Sequence, residues 1–385
     1  MASNAKIIGD LIAADSSVAI PGDGVILASD LADGSVTTAK LADANVTFDK
    51  IATTVPLGTK NLIINGDMRI DQRNSGASLT VNTAAVVYSV DRLFTYGQAS
   101  DGVFTVQQVT DAPSGFINSV KATVTTADAS IGASQLYILS HKIEGNNIAH
   151  LDWGTANAKT VTLSFWVKSS LTGTFSGSLK NHDGSRAYPF TYTISSANTW
   201  EKKTITITGD TTGTWLTTNA TGITLTFTLG SGSSRLGTAN TWNAANLDGA
   251  TGTTEVIATN GATFYITGVQ LEVGENATPF ENRMYSQELA MCQRYYFFQG
   301  EVQFIGYQPS GQLFAVMNYF PISMRASPTL TVFDYAGASG KVFLNANNVT
   351  GTIDISQKNS CRVYASTTTT GSQTFGYTFI ANAEL

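Results

Sequence analysis

The side chains best placed for chemistry in this chain are aromatic rings set among small polar groups. In VTLSFWVK, Val161, Leu163, Phe165 and Val167 alternate with Thr162, Ser164, Trp166 and Lys168, so Trp166 is expected on the sheet face opposite the apolar one. Asn181, Asp183, Arg186 and Tyr188 crowd one loop and the strand after it, and Trp215 and Trp242 lie beside loops rich in Gly and Thr. Flat rings that stack on C–H groups, ringed by Asn, Asp and Arg, are what a saccharide requires of its receptor. The competing reading is that each Trp covers a sheet edge or fills a subunit interface. Catalytic arrangements are thinner. His141, His150 and His182 show no metal-ligand spacing, and neither HExxH nor GxSxG occurs. Asp67 with Asp71, or Glu272 with Glu275, could pair as glycosidase carboxylates, but nothing distinguishes them from any other acidic pair. Cys292 and Cys361 are too few for a disulfide scaffold or a thiolate cage. The expectation is a binding protein, not an enzyme, with no organic cofactor.

The elements that must hold these residues are strands. The 385 residues include 53 Thr and 35 Gly, and only 13% are charged against a usual ~25%. That make-up suits a turn-rich β protein of more than one domain rather than a helical bundle or a disordered tail. A net charge of −6 argues against nucleic-acid binding. No apolar run approaches ~18 residues and no signal-peptide pattern follows Met1, so membrane insertion is not expected.

A ten-residue repeat opens the chain. LADGSVTTAK and LADANVTFDK, followed by Ile51-Ala52-Thr53, align Leu31, Leu41 and Ile51, and likewise Val36 and Val46. Each unit carries about two apolar anchors, too few for a core within one chain, so order requires burial between neighbouring chains or against another protein; a disordered leader is the alternative. The pattern resembles the SVTTAKLAD repeats of bacteriophage tail fibres, which implies a homotrimer attached to the virion through this end.

From Asn61 onward the signals are alternation and Gly-containing turns. QLYILSHKI, VTLSFWVK, KKTITIT, ITLTFTL and TFYITGVQL read as antiparallel strands, and many such short strands pack as two sheets. NLIINGDMRIDQRN, YSVDRL, WGTANAKTVTLSFWVKSS, NTWEKKTITITGD, ITGVQLEVGENATPFENR and ELAMCQRYY occur in that order. Together they resemble a domain of phage tail-fibre and receptor-binding proteins, similar to the jelly rolls of carbohydrate-binding modules. Such jelly rolls often hold a structural calcium between first and last strands. The resemblance puts Asn65, Asp67 and Glu272 in the comparable places, with ordinary turn and edge polar groups as the alternative.

Thr278-Pro279-Phe280-Glu281 reads as a capping box with Pro at the first helical position, and Tyr285, Leu289, Cys292 and Tyr296 share one helical face. This predicts a linker helix whose stripe packs on the sandwich or around a three-fold axis. The last ninety residues are β-like again and are expected to form a trimeric knob, with Ala336 to Gly340 and Thr367 to Ser372 as exposed loops.

The expected organisation is all-β: an attachment and repeat segment (1–60), a β-sandwich jelly roll (61–278), a linker helix (279–296) and a C-terminal β knob (297–385). With the resemblance, this implies a virion tail fibre, made in the bacterial host cytoplasm. It would join a tail or baseplate protein through its N-terminus and bind a bacterial surface glycan. A capsid fibre or tail adaptor without receptor binding, or a polysaccharide depolymerase, are the alternatives.

Overall fold

Alternating apolar and polar residues become strands wherever the apolar face finds a second sheet to cover it. A computed structural model of the chain describes residues 60–385 apart from Thr83, Ala99, Ser100 and Ala346. The repeat positions Leu31, Val36, Leu41, Val46 and Ile51 lie outside the described residues.

Among the described residues, fourteen strands precede the helix. They begin with β1 (Leu79–Val81), β2 (Val87–Val90), β3 (Leu93–Gln98), β4 (Val103–Val109), β5 (Ser119–Thr126), β6 (Leu136–Glu144) and β7 (Val161–Ser169). Next come β8 (Gly173–Lys180), β9 (Ala187–Ile194), β10 (Glu201–Ile207) and β11 (Thr221–Ser231). The short pair β12 (Leu236–Gly237) and β13 (Gly249–Ala250) leads to β14 (Thr263–Val273). Two six-stranded antiparallel sheets result, with orders β1-β4-β5-β14-β7-β10 and β2-β3-β6-β11-β8-β9. Val161, Leu163, Phe165 and Val167 of the first sheet are fully buried against Ile223, Leu225, Phe227 and Leu229 of the second. Phe165 meets Phe227 edge-on at 5.0 Å between ring centroids. The expected β-sandwich is therefore present.

Residues 61–70 form no strand, yet they clasp β14. The Leu62 and Val269 amides donate to the carbonyls of Leu271 and Gly66, each at 2.9 Å. Asn65, in the left-handed region at φ 60°, accepts the Ile70 amide and donates to the carbonyls of Ile70 and Asp91.

The linker helix differs from expectation. It is α1 (Tyr285–Gln293), not 279–296. Thr278 donates its hydroxyl to Glu272 instead of capping a helix, and Glu281 accepts the Asn61 amide at 2.7 Å. Polar groups at the sandwich edge thus capture both members of the predicted capping box, and residues 279–284 stay out of the helix. Tyr285 is exposed and Tyr296 belongs to the next strand. Within the helix, Leu289 and Cys292 of the predicted stripe pack inward, with Ile64, Ile70 and Tyr295.

The C-terminal strands are β15 (Tyr296–Gln308), β16 (Leu313–Tyr319), β17 (Thr329–Phe333), β18 (Lys341–Leu344), β19 (Asn347–Thr350), β20 (Thr352–Ser356), β21 (Ser360–Ser366) and β22 (Gly371–Asn382). One sheet runs β15-β22-β18-β19 with β17 also on β22; the other runs β16-β21-β20. They enclose a core of their own that includes Phe314, Val363, Phe375 and Phe379.

Lys60–Leu385 is one compact unit, and its two β regions are joined by buried charge. Arg92, 1% exposed, pairs with Glu384 and stacks on Tyr295 at 3.6 Å. Arg73 reaches the same carboxylate at 2.6 Å and lies over Tyr296 at 3.6 Å. Glu144 accepts from Arg294 and from the Tyr295 hydroxyl, both at 2.7 Å.

Candidate functional site

Because side chains alternate along a strand, the second sheet has an outer face made from the positions its core does not use. There β3 offers Phe94 and Tyr96, β6 offers Leu136, Ile138, Ser140 and Lys142, β11 offers Thr224 and Thr226, and β8 ends in Lys180. Residues 181–184 wall one side, and Arg235, Asn246 and Asp248, from the connection between β11 and β14, wall another. The result is an open cleft of ≈ 290 Å³. Its aromatic and aliphatic groups come from β3 and β6. Its hydroxyls come from β6 and β11, where Ser140 Oγ lies 3.1 Å from Thr226 Oγ1.

Charge is concentrated on the walls. Lys180 donates to Asp248 and, at 3.1 Å, to Asn246 Oδ1. Asp248 is fully buried, and its Oδ2 accepts no hydrogen bond; Arg235 stands 3.7 Å away. Lys142 donates to the Leu385 carbonyl oxygen at 2.9 Å, and burial together with the nearby Arg92 lowers its pKa. The amide and hydroxyl of Ser185 bind Asp183 and hold its carboxyl below the usual carboxylate range. Three amines or guanidinia and two carboxylates therefore frame an opening lined by hydroxyls and rings, an arrangement that can bind a polar, ring-shaped ligand by stacking and hydrogen bonding.

The predicted residues divide among three places. Asn181 and Asp183 belong to the cleft, but Asn181 is committed to its own loop, donating to Ser185 Oγ at 3.0 Å and the Thr214 carbonyl at 3.1 Å. Arg186 makes a two-pronged pair with Asp210, at 2.7 and 2.8 Å. Tyr188 and Trp215 are buried, and their rings supply core area rather than an open platform. Trp153, Trp215 and Trp242 meet edge-on at 4.6 to 5.5 Å, and Tyr188 adds a further edge contact with Trp242. The indole N–H of Trp242 donates to the Thr208 carbonyl at 2.8 Å. Trp166 lies on the other sheet, paired in register with Lys202 and Thr267. Phe94, Tyr96, Lys142, Lys180, Arg235 and Asp248 were not singled out from the sequence. Of these, only Lys142 lies in a quoted strand motif, on the outward phase of QLYILSHKI.

The residues of the calcium expectation are largely engaged by protein groups. Asn65 is saturated by backbone partners, and Asp67 pairs with Arg69 at 2.9 Å. Glu272 accepts the amide and hydroxyl of Thr278 and an amide hydrogen of Gln270. Asp67 Oδ1, by contrast, is buried without a hydrogen-bond partner. Among the described residues no group of three or more His, Cys, Asp or Glu is arranged for a metal. His141 is buried with Nε2 3.1 Å from the Ile64 carbonyl oxygen, and burial holds its pKa well below the ordinary histidine value.

No family model and no curated protein matches the chain. Solved structures that resemble it include the enzymatically active domain of bacteriophage CBA120 tailspike protein 4, with 14% identity, a TM-score of 0.30 and coverage of 56% of this chain and 21% of that one. TmCBM61, in complex with β-1,4-galactotriose, has 12% identity, a TM-score of 0.28 and coverage of 56% and 100%. The family 11 carbohydrate-binding module of the Clostridium thermocellum cellulase Lic26A-Cel5E has 11% identity, a TM-score of 0.26 and coverage of 51% and 99%. The match thus spans about a fifth of that tailspike domain chain.

Proposed function

We propose that the protein binds a glycan, without cleaving it, in the cleft on the outer face of the second sandwich sheet. It does so as a homotrimeric bacteriophage tail-fibre protein that attaches to the virion through residues 1–60. The observation that carries the glycan reading is the cleft's composition. Half-buried Tyr96 and Thr224 stand over buried Phe94, Ser140 and Thr226, and charged groups of both signs, several of them paired, stand on the walls. Sugars present C–H faces and rings of hydroxyls, and such a surface answers both. The virion assignment is supported by the decamer repeat and by the ordered motifs of the sequence. In a trimer, three weak sites gain through effective concentration what a shallow cleft lacks in affinity.

The sequence alone favours the C-terminal β region as the receptor contact, because it is farthest along the chain from the attachment end. The cleft favours the sandwich.

The test is adsorption of the purified protein to host cells and to their extracted surface polysaccharide, with Tyr96→Ala and Asn246→Ala as site variants. We expect each variant to weaken glycan binding about 10-fold or more with an unchanged melting temperature, because neither side chain is buried. Unchanged binding in both variants would remove the site from this cleft. A wild-type protein that binds neither cells nor polysaccharide would leave a structural virion role, and release of free sugar would establish a depolymerase.

A further inference from the structure

One wall of the cleft holds a guanidinium whose donors are unspent. Arg235 Nη1 stands 3.7 Å from Asp248 Oδ2, which accepts no hydrogen bond, and among the described residues the Arg235 side chain donates none. The backbone fixes this arrangement. Arg235 and Asp248 immediately precede β12 and β13, whose parallel pairing sets Leu236 against Gly249, and the Asp248 amide donates to the Arg235 carbonyl at 2.8 Å. Thr228 of β11 donates its hydroxyl to the Asp248 carbonyl. Asp248 is fully buried, whereas the side chains of Lys180 and Arg235 are 13 and 29% exposed. The carboxylate therefore lies behind two cations that line the opening.

Strand register adds a third cation. Thr224 of β11 pairs with Lys142 of β6 on one side and with Lys180 of β8 on the other. The next row on the same face sets Thr226 between Ser140 and Ser178, with Phe94 of β3 beside Ser140. A cationic row thus adjoins, at ~7 Å along the strands, a row of hydroxyls that ends in a ring. Lys142 reaches the Leu385 main-chain oxygen, and Arg92, Arg325 and Lys180 act on it as like charges against Glu384. Asp183 is the acid on the facing wall. Ser185 holds its Oδ1, and His182 Nε2 lies 3.8 Å from its Oδ2.

We propose that the glycan bound in this cleft is acidic, and that Arg235, with the Lys180 end of the cationic row, takes its carboxylate or phosphate group. The proposal rests on the glycan reading above and narrows the ligand to a class. A guanidinium presents a planar fork of N–H donors that engages two oxygens of a carboxylate or phosphate at once. The hydroxyls of a neutral sugar bring no charge to meet the cations at the opening. Asp248 is a positioning residue. One of its oxygens holds Lys180 and the other lies behind Arg235, so it keeps both cations at the wall while staying out of reach of the ligand itself.

The experiment uses the full chain and polysaccharides extracted from a panel of bacteria, acidic and neutral. Each acidic polymer is compared with its carboxyl-reduced and its dephosphorylated form. The variants are Arg235→Gln, Tyr96→Ala and Lys202→Gln, the last an exposed lysine of the first sheet that controls for general charge attraction. Arg235→Gln leaves Asp248 its Lys180 partner. We expect an acidic polymer to bind, and one of the two treatments to weaken it about 10-fold or more, which identifies the anionic group. Arg235→Gln should weaken the acidic polymer by a similar factor and leave the treated form unchanged, while Lys202→Gln changes neither. Should Arg235→Gln fail to fold, Arg235→Lys takes its place: it keeps the charge, loses the fork and should still weaken the acidic polymer alone. If only neutral polymers bind, or both treated forms bind as tightly as the parent, the charge assignment is overturned; weaker binding by Tyr96→Ala would then keep the cleft. Equal weakening by Lys202→Gln and Arg235→Gln would overturn it in favour of general attraction. Binding to no polymer, or wild-type binding by both Arg235→Gln and Tyr96→Ala, would overturn the glycan reading of the cleft and this proposal with it.

Discussion

The residues that make this chain recognisable are not those that line its cleft. Asn65 and Arg73 of NLIINGDMRIDQRN, Asp91 and Arg92 of YSVDRL, and Glu288 and Tyr295 of ELAMCQRYY meet at one buried junction beneath the C-terminal strands. Their ionic groups are demanding because a buried charge is tolerable only with its partner in place. Glu384→Ala should leave the Arg92 guanidinium buried without its carboxylate and destabilise the protein by about 3–5 kcal/mol, measurable by thermal or denaturant unfolding. A second residue-scale prediction concerns pH. Burial pushes the Glu255 carboxyl up to about 7, outweighing the Ser231 amide that binds it at 3.2 Å. In the unfolded chain this group titrates near ~4.3, so between the two values the native state keeps a proton that the unfolded state releases. Stability from this group is therefore complete at low pH and falls as pH rises towards 7. Glu255→Gln should match wild type near pH 4 and exceed it by about 1–2 kcal/mol at pH 8 in parallel melts.

At the scale of elements, strands followed the alternation of the sequence and the helix did not follow its caps. VTLSFWVK and ITLTFTL place their apolar side chains in every second residue, and β7 and β11 bury those residues in the sandwich core, with most of the intervening polar residues also covered. The capping-box reading of Thr278 and Glu281 used only local spacing, whereas the acceptors and donors that took those side chains come from Glu272 and Asn61. The clasp at residues 61–70 works through close backbone approach. Gly66 places its Cα against the Val269 carbonyl oxygen, where no side chain fits. Gly66→Ala should therefore force the clasp away from β14, costing about 2–3 kcal/mol and accelerating hydrogen exchange at the Leu62 and Val269 amides.

At the scale of the whole molecule, the unit Lys60–Leu385 holds two cores and the ionic junction between them. Removing Met1–Thr59 should leave a protein that melts in one cooperative transition, because both hydrophobic cores and the ionic junction between them lie within Lys60–Leu385. Circular dichroism and calorimetry of the shortened chain check this. Loss of particle incorporation with retained glycan binding would agree with attachment through the N-terminal segment. The same protein with Glu384→Ala should melt in two transitions if the junction is what couples the β regions.

What the sequence determined by itself is local. Its alternation assigns inward and outward faces to each strand, and its low charge and its Gly and Thr content assign the β class, because both properties depend on neighbours one or two residues away. The order of strands in a sheet is not local. Every strand here carries nearly the same pattern, so alternation cannot say that β6 lies between β3 and β11 or that β8 follows. That order brings Ser140 beside Thr226 and Lys180 onto Asp248, residues 86 and 68 positions apart. It also turned Tyr188 and Trp215 inward, where covering the end of the core outweighs leaving a ring face to solvent. The cleft exists only because tertiary pairing assembled the outward phases of four strands into one surface.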